Sequence, residues 1–190
     1  MEIQFQDKMA EAIREGRQVI PGYFSPDIFK SLYLTPPGRT RAIILTSEIP
    51  SLGYTGLPSG GSSSARRNIA AAVEANTFEQ YSGMESWARQ GILVLPLAFA
   101  SPSAQVDWEP LLAAILLELY HGDEYPPTIL STWGKRAEQV AARYIDLGDI
   151  WHLPAPHPRR AEFRETKIFR EINNIFSFWP KADTEIKWGE

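Results

Sequence analysis

The sequence predicts an α/β fold: a three-layer α/β/α sandwich around a central, mainly parallel, four-stranded sheet. Short apolar runs at Ala42–Leu45, Gly91–Leu97 and Thr128–Thr132 alternate with longer stretches of helical spacing. Strands separated by helices pack as a parallel sheet covered on both faces. The first two runs also lack the apolar–polar alternation of a half-exposed strand, as expected of strands buried on both sides. At 190 residues and 44% hydrophobic content the chain can bury a full core, and residues 1–190 read as one domain.

Residues 3–15 have helical spacing. Ser25-Pro26-Asp27 then resembles an N-cap for a short apolar helix through Ile28, Phe29, Leu32 and Leu34, which Thr35-Pro36-Pro37-Gly38 closes. The strand at Ala42–Leu45 ends on Ser47 and Glu48. A Gly/Ser-rich loop, Ser59–Ser64, opens into the helical pattern ARRNIAAAVEA. Gly91–Leu97 is the second strand, Trp108–Tyr120 a helix, Thr128–Thr132 the third strand and Lys135–Tyr144 a helix. A fourth strand is expected at Asp149–Leu153, followed by the turn Pro156-His157-Pro158. A closing helix, Phe163–Phe178, precedes the tail Ile186-Lys187-Trp188, and Phe176, Phe178 and Trp179 are expected to cover the sheet. Trp87, Trp133, Trp151 and Trp188 read as core or edge packing and His152 as a surface or structural residue.

Several classes are disfavoured by composition. The longest apolar stretch, Leu111–Tyr120, is too short to span a membrane and carries Glu118. The N-terminus lacks a secretory pattern, and the chain has no cysteine, so the cytoplasm is the expected compartment. No His, Asp and Glu set has metal-ligand spacing, and SGGSSS lacks the lysine of a P-loop, so neither metal nor cofactor is expected. The net charge of −4 argues against indiscriminate nucleic-acid binding. A local basic strip, Arg159, Arg160, Arg164, Lys167 and Arg170, nevertheless follows His157, and Arg66 with Arg67 follow the Gly/Ser loop.

In open parallel sheets ligands bind beyond the carboxyl ends of the strands. The segments around Glu48, Pro96, Thr132 and His157 all leave predicted strands there, so they are expected to converge on one cleft. A carboxylate facing an imidazole suits hydrolysis of a glycosidic bond through an oxocarbenium-like state.

Several fragments, in colinear order from about Ile20 to Trp188, resemble family 1 uracil-DNA glycosylases. PGYFSPDIFKSLYLTP followed by RAIIL looks like the family's entry helix and first strand. WARQGILVL is similar to its tryptophan-alanine-x-glutamine-glycine strand, and TWGKRAEQVA to its tryptophan-glycine-x-x-alanine element. PHPRRAEFRETKIFREINNIF resembles the histidine-proline loop and closing helix, and IKW the terminus. The short spacing from Glu48 through Tyr54-Thr55-Gly56-Leu57-Pro58 looks particularly like the poxviral branch.

The resemblance implies a monomeric DNA glycosylase acting on double-stranded DNA with a flipped base. Glu48 would orient water at C1′ and stabilise positive charge on the sugar, and His157 would donate a hydrogen bond to the departing base. Arg66, Arg159, Arg160 and Arg164, with the loop residues Ser62 and Ser63, would contact DNA, and Arg160 is the favoured wedge into the vacated stack. The base pocket departs from the family. Where the family has Gln-Asp-Pro-Tyr, this chain has Ser47-Glu48-Ile49-Pro50. Pro96 matches the uracil-reading asparagine and Ser59 the stacking phenylalanine. Loss of the tyrosine wall and of the amide that reads uracil favours a larger base. A hypermodified pyrimidine such as glucosylated hydroxymethylcytosine of phage DNA is the expected substrate, a role resembling that of prokaryotic antiphage glycosylases. The rivals are a noncatalytic DNA-binding or replication module on the same fold and an ordinary uracil repair enzyme.

Overall fold

The structure is a computed structural model that describes residues 40–47, 64–81, 83–97, 112–113, 116, 129–143, 145, 150–178 and 185–189. These form β1 (Ala42–Thr46), α1 (Ser64–Thr77), α2 (Met84–Arg89), β2 (Ile92–Pro96), β3 (Ile129–Trp133), α3 (Lys135–Ala141), β4 (Trp151–Ala155), a 3-10 turn (Ala161–Glu165) and α4 (Ile168–Ser177). The helices expected at residues 3–15 and after Ser25 lie outside the described residues. Of the helix expected at Trp108–Tyr120, Leu112, Ala113 and Leu116 are described and are helical.

The sheet has the order β2-β1-β3-β4, and every pairing is parallel. All residues of β1, β2 and β3 are buried, which accounts for their lack of polar alternation. One register row, Pro96–Thr46–Trp133–Ala155, crosses all strands at their carboxyl ends. Among the described helices none is long and apolar enough to cross a membrane.

The fourth strand is displaced from its expected position: it runs Trp151–Ala155, not Asp149–Leu153. The observed strand includes a proline at position 154. β4 is an edge strand, however, where a residue without an N–H is tolerated. Here Pro154 is exposed and paired in register with Thr132. His152 is structural, its Nε2 lying 2.9 Å from Thr132 Oγ1.

The closing helix is also broken. Thr166 is extended (φ −65°, ψ 146°) between the 3-10 turn and α4, because Asn76 of α1 holds the break from both sides. Its Nδ2 donates to the Thr166 carbonyl at 2.9 Å, and its Oδ1 accepts from the Arg170 backbone N–H at 3.3 Å. The N-cap residue Lys167 makes no side-chain cap, so a neighbouring helix provides the acceptor that the first turn of α4 needs. Phe176 is buried as expected, but Phe178 is 83% exposed and does not cover the sheet. It follows the end of α4, off the apolar face made by Ile168, Phe169, Ile172 and Phe176.

Between the sheet and the helices lies an aromatic cluster. Trp87 packs edge-on against Trp133 and Trp188 with centroids 6.5 and 5.1 Å away, and Trp133 against Phe163 at 4.9 Å. The tail is bonded onto this cluster. Trp87 Nε1 donates to the Trp188 carbonyl at 2.8 Å. Gln90 pairs with both the N–H and the carbonyl of Lys187, and Asn173 does the same with Ile186. The WARQ and IKW fragments, a hundred residues apart, are therefore one structural unit.

Candidate active site

Immediately past the carboxyl-end row come Ser47 after β1, Gly134 after β3 and, one residue further on, His157 after β4. Strands β1 and β4 are separated by β3, a gap of roughly 9–10 Å at ordinary strand spacing. The His157 side chain crosses this gap over Gly134, and its Nε2 comes within 2.8 Å of Ser47 Oγ. Gly134 makes the crossing possible. A Cβ there would lie 3.0 Å from His157 Cβ and 3.1 Å from Cδ2, and its φ of +98° is a conformation that other residues rarely adopt. The Gly134 N–H donates to the Ala155 carbonyl at 2.9 Å, tying the end of β3 to the strand that carries the histidine.

The tautomer of His157 follows from its second contact. The Arg159 backbone N–H points at Nδ1, 3.1 Å away. A backbone N–H can only donate, so Nδ1 carries the lone pair and, in the neutral ring, the proton sits on Nε2. Nε2–H therefore donates to Ser47 Oγ. A nucleophilic serine would need the opposite arrangement, with a lone pair on Nε2 to take its proton. This histidine is built as a hydrogen-bond donor at the carboxyl end of the sheet.

The turn that carries it is held by Asn68, a residue the sequence reading did not single out. Asn68 is 2% exposed. Its Nδ2 donates to the carbonyls of Pro158 at 2.8 Å and Arg160 at 2.9 Å, and its Oδ1 accepts from Arg164 Nε at 2.6 Å. Both amide hydrogens and the amide oxygen are thus engaged, as burial of an amide requires. A signal was present. Asn68 interrupts the otherwise apolar face Ala65, Ile69, Ala72, Val73 of α1, and a polar side chain on a buried stripe implies a specific partner.

Of the expected site residues, Ser47 and His157 are brought together. Pro96 is buried at the end of β2, opposite Thr46 in register, one strand from Ser47. Arg159, Arg160 and Arg164 are exposed on the segment after His157. Arg66 is half-buried on α1, which packs against the 3-10 turn of that segment, so the two basic stretches lie on adjoining elements. Arg164 is also engaged structurally through Asn68. Glu48, Ile49, Pro50, Ser59, Ser62 and Ser63 lie outside the described residues.

The arrangement defines an α/β protein with a donor histidine beyond the carboxyl ends of a parallel sheet. No protein-family model matches the chain. A uracil-DNA glycosylase from Sinorhizobium sp is 30% identical over 162 residues, covering 76% of this chain and 71% of that relative. Another, from Aliivibrio fischeri, is 26% identical with 97% of this chain and 91% of the relative aligned. Among solved structures, a mutant of the UNG from Nitratifractor salsuginis is similar in fold, with a TM-score of 0.60 at 14% identity, covering 92% of this chain and 86% of that one. The chain belongs to the uracil-DNA glycosylase family.

Proposed function

We propose that this chain is a DNA glycosylase, a hydrolase of N-glycosyl bonds, that flips a modified, non-uracil base out of double-stranded DNA and leaves an abasic site. The observation that carries the reading is the donor tautomer of His157 beside Ser47. A preorganised N–H donor beyond the carboxyl ends of the strands, where such sheets bind ligands, would stabilise negative charge growing on a leaving base and so lower the barrier to heterolysis. In the proposed reaction the C1′–N bond breaks with its electron pair leaving on the base. Water, oriented by Glu48, adds to C1′, and its proton is delivered to the base by way of the carboxylate. Arg66, Arg159, Arg160 and Arg164, with Ser62 and Ser63, would hold the phosphates, and Arg160 would fill the vacated stack.

The choice of base rests on the pocket. Pro96 is buried beside β1 and has no side-chain hydrogen bond to offer, so an amide cannot read uracil from that position. With Ser47, Pro50 and Ser59 replacing the larger glutamine, tyrosine and phenylalanine of the family, the pocket suits a bulkier pyrimidine, for which glucosylated hydroxymethylcytosine of phage DNA is the candidate. We assign the protein to the cytoplasm as a monomer that acts in antiviral defence. A second reading, removal of uracil, is favoured by the activity in the names of the relatives.

Mass spectrometry of bases released from DNA containing uracil, hydroxymethylcytosine or its glucosylated form, with Glu48→Gln as control, separates the readings. Release of a modified base by the wild type alone is expected. Release of uracil only would support the second reading, and tight duplex binding without any release would support a noncatalytic DNA-binding module.

A further inference from the structure

We propose that Ser47 relays the hydrogen bond of His157 to the leaving base, a proposal that rests on the glycosylase reading above. Ser47 Oγ already occupies the Nε2–H of His157 at 2.8 Å. A base carbonyl that bonded the imidazole directly would have to displace this hydroxyl. A hydroxyl that accepts one hydrogen bond still has its own proton to donate. The chain Nε2–H···Oγ–H···O(base) therefore keeps the existing contact and adds one to the substrate, and each bond polarises the next.

Three features of the chain favour a relay. The tautomer is fixed by the Arg159 N–H on Nδ1, so the hydrogen bonds run in one direction, from ring to hydroxyl. Ser47 is the residue directly before Glu48 and half-buried at the end of β1, on the side of the imidazole remote from the β4 turn. The inserted hydroxyl also moves the terminal donor outward by about one hydrogen-bond length, roughly 2.8 Å. This suits the bulkier base proposed above, which would sit farther from the histidine. No proton changes owner in the relay itself. The electron pair of the C1′–N bond leaves on the base, and the growing charge on its carbonyl oxygen strengthens both hydrogen bonds in the chain.

The test is a double-mutant cycle in single-turnover base release, on whichever DNA of the panel above the wild type cleaves. The relay predicts that Ser47→Ala lowers the rate about 100-fold without changing the dissociation constant for the DNA. Ser47→Thr, which keeps the hydroxyl, should recover most of that loss. Ser47→Ala/His157→Ala should be no slower than His157→Ala alone, because a broken relay has nothing left to lose. A Ser47→Ala enzyme as fast as wild type, or losses that multiply in the double mutant, would overturn the relay and leave the glycosylase reading standing. Absence of release by the wild type from every DNA would overturn both.

Discussion

The imidazole of His157 rests on the backbone of Gly134, with a hypothetical Gly134 Cβ only 3.0 Å from His157 Cβ. The glycine of the TWGKR segment is thus a positioning element for a side chain that arrives from the next strand. Gly134→Ala must both strain a φ of +98° and push the ring off Ser47. A displacement of about 1 Å can cost roughly 100-fold in rate, and the backbone strain of order 1–3 kcal/mol adds a loss of stability. Base release should fall at least that far, and thermal unfolding should shift down by several degrees, both measurable on one preparation.

Asn68 offers a different separation. Asn68→Ala leaves the carbonyls of Pro158 and Arg160 without their buried donor, at about 1–3 kcal/mol for each unsatisfied group. For a chain of this size 1 kcal/mol corresponds to about 2–4 °C in Tm. Asn68→Asp should be at least as damaging, because it keeps the oxygen for Arg164 and sets a second oxygen against two carbonyls. Thermal scans of the two variants beside the wild type test this, and equal Tm values would remove Asn68 from the account.

Asn76 should affect stability alone. It caps α4 from outside but does not bond the His157 turn, so Asn76→Ala is expected to cost about 1 kcal/mol, the usual worth of a helix cap. The rate of base release per folded molecule should stay within about twofold of the wild type; a larger loss would mean that the break at Thr166 also positions the site.

The basic segment has its own signature. If Arg160 contacts a phosphate, Arg160→Ala should make the log–log dependence of DNA affinity on salt shallower by about 0.9. Titrations at several salt concentrations measure that slope directly, and an unchanged slope would place Arg160 away from the backbone.

The sheet was legible because its buried strands leave an uninterrupted apolar pattern, as in AIIL and ILVL. The position of β4 was not, since Pro154 reads as a strand end unless the strand is known to lie on an edge. The closing helix read as continuous because its apolar positions continue through Phe163 and Phe169, and the break is imposed by Asn76, ninety residues earlier. The histidine was legible from its neighbouring prolines and the family resemblance. Its tautomer, its path over Gly134 and its contact with Ser47 depend on parallel strand order, which a local pattern does not encode. Asn68 was visible only as a polar residue on an apolar face.

Single-turnover release of base by His157→Ala against the wild type bears most directly on the function assigned to the donor histidine. The expected result is a loss of about 100- to 10,000-fold, with Tm close to that of the wild type because the half-buried ring leaves no core cavity. Undiminished release by the variant would contradict the assignment.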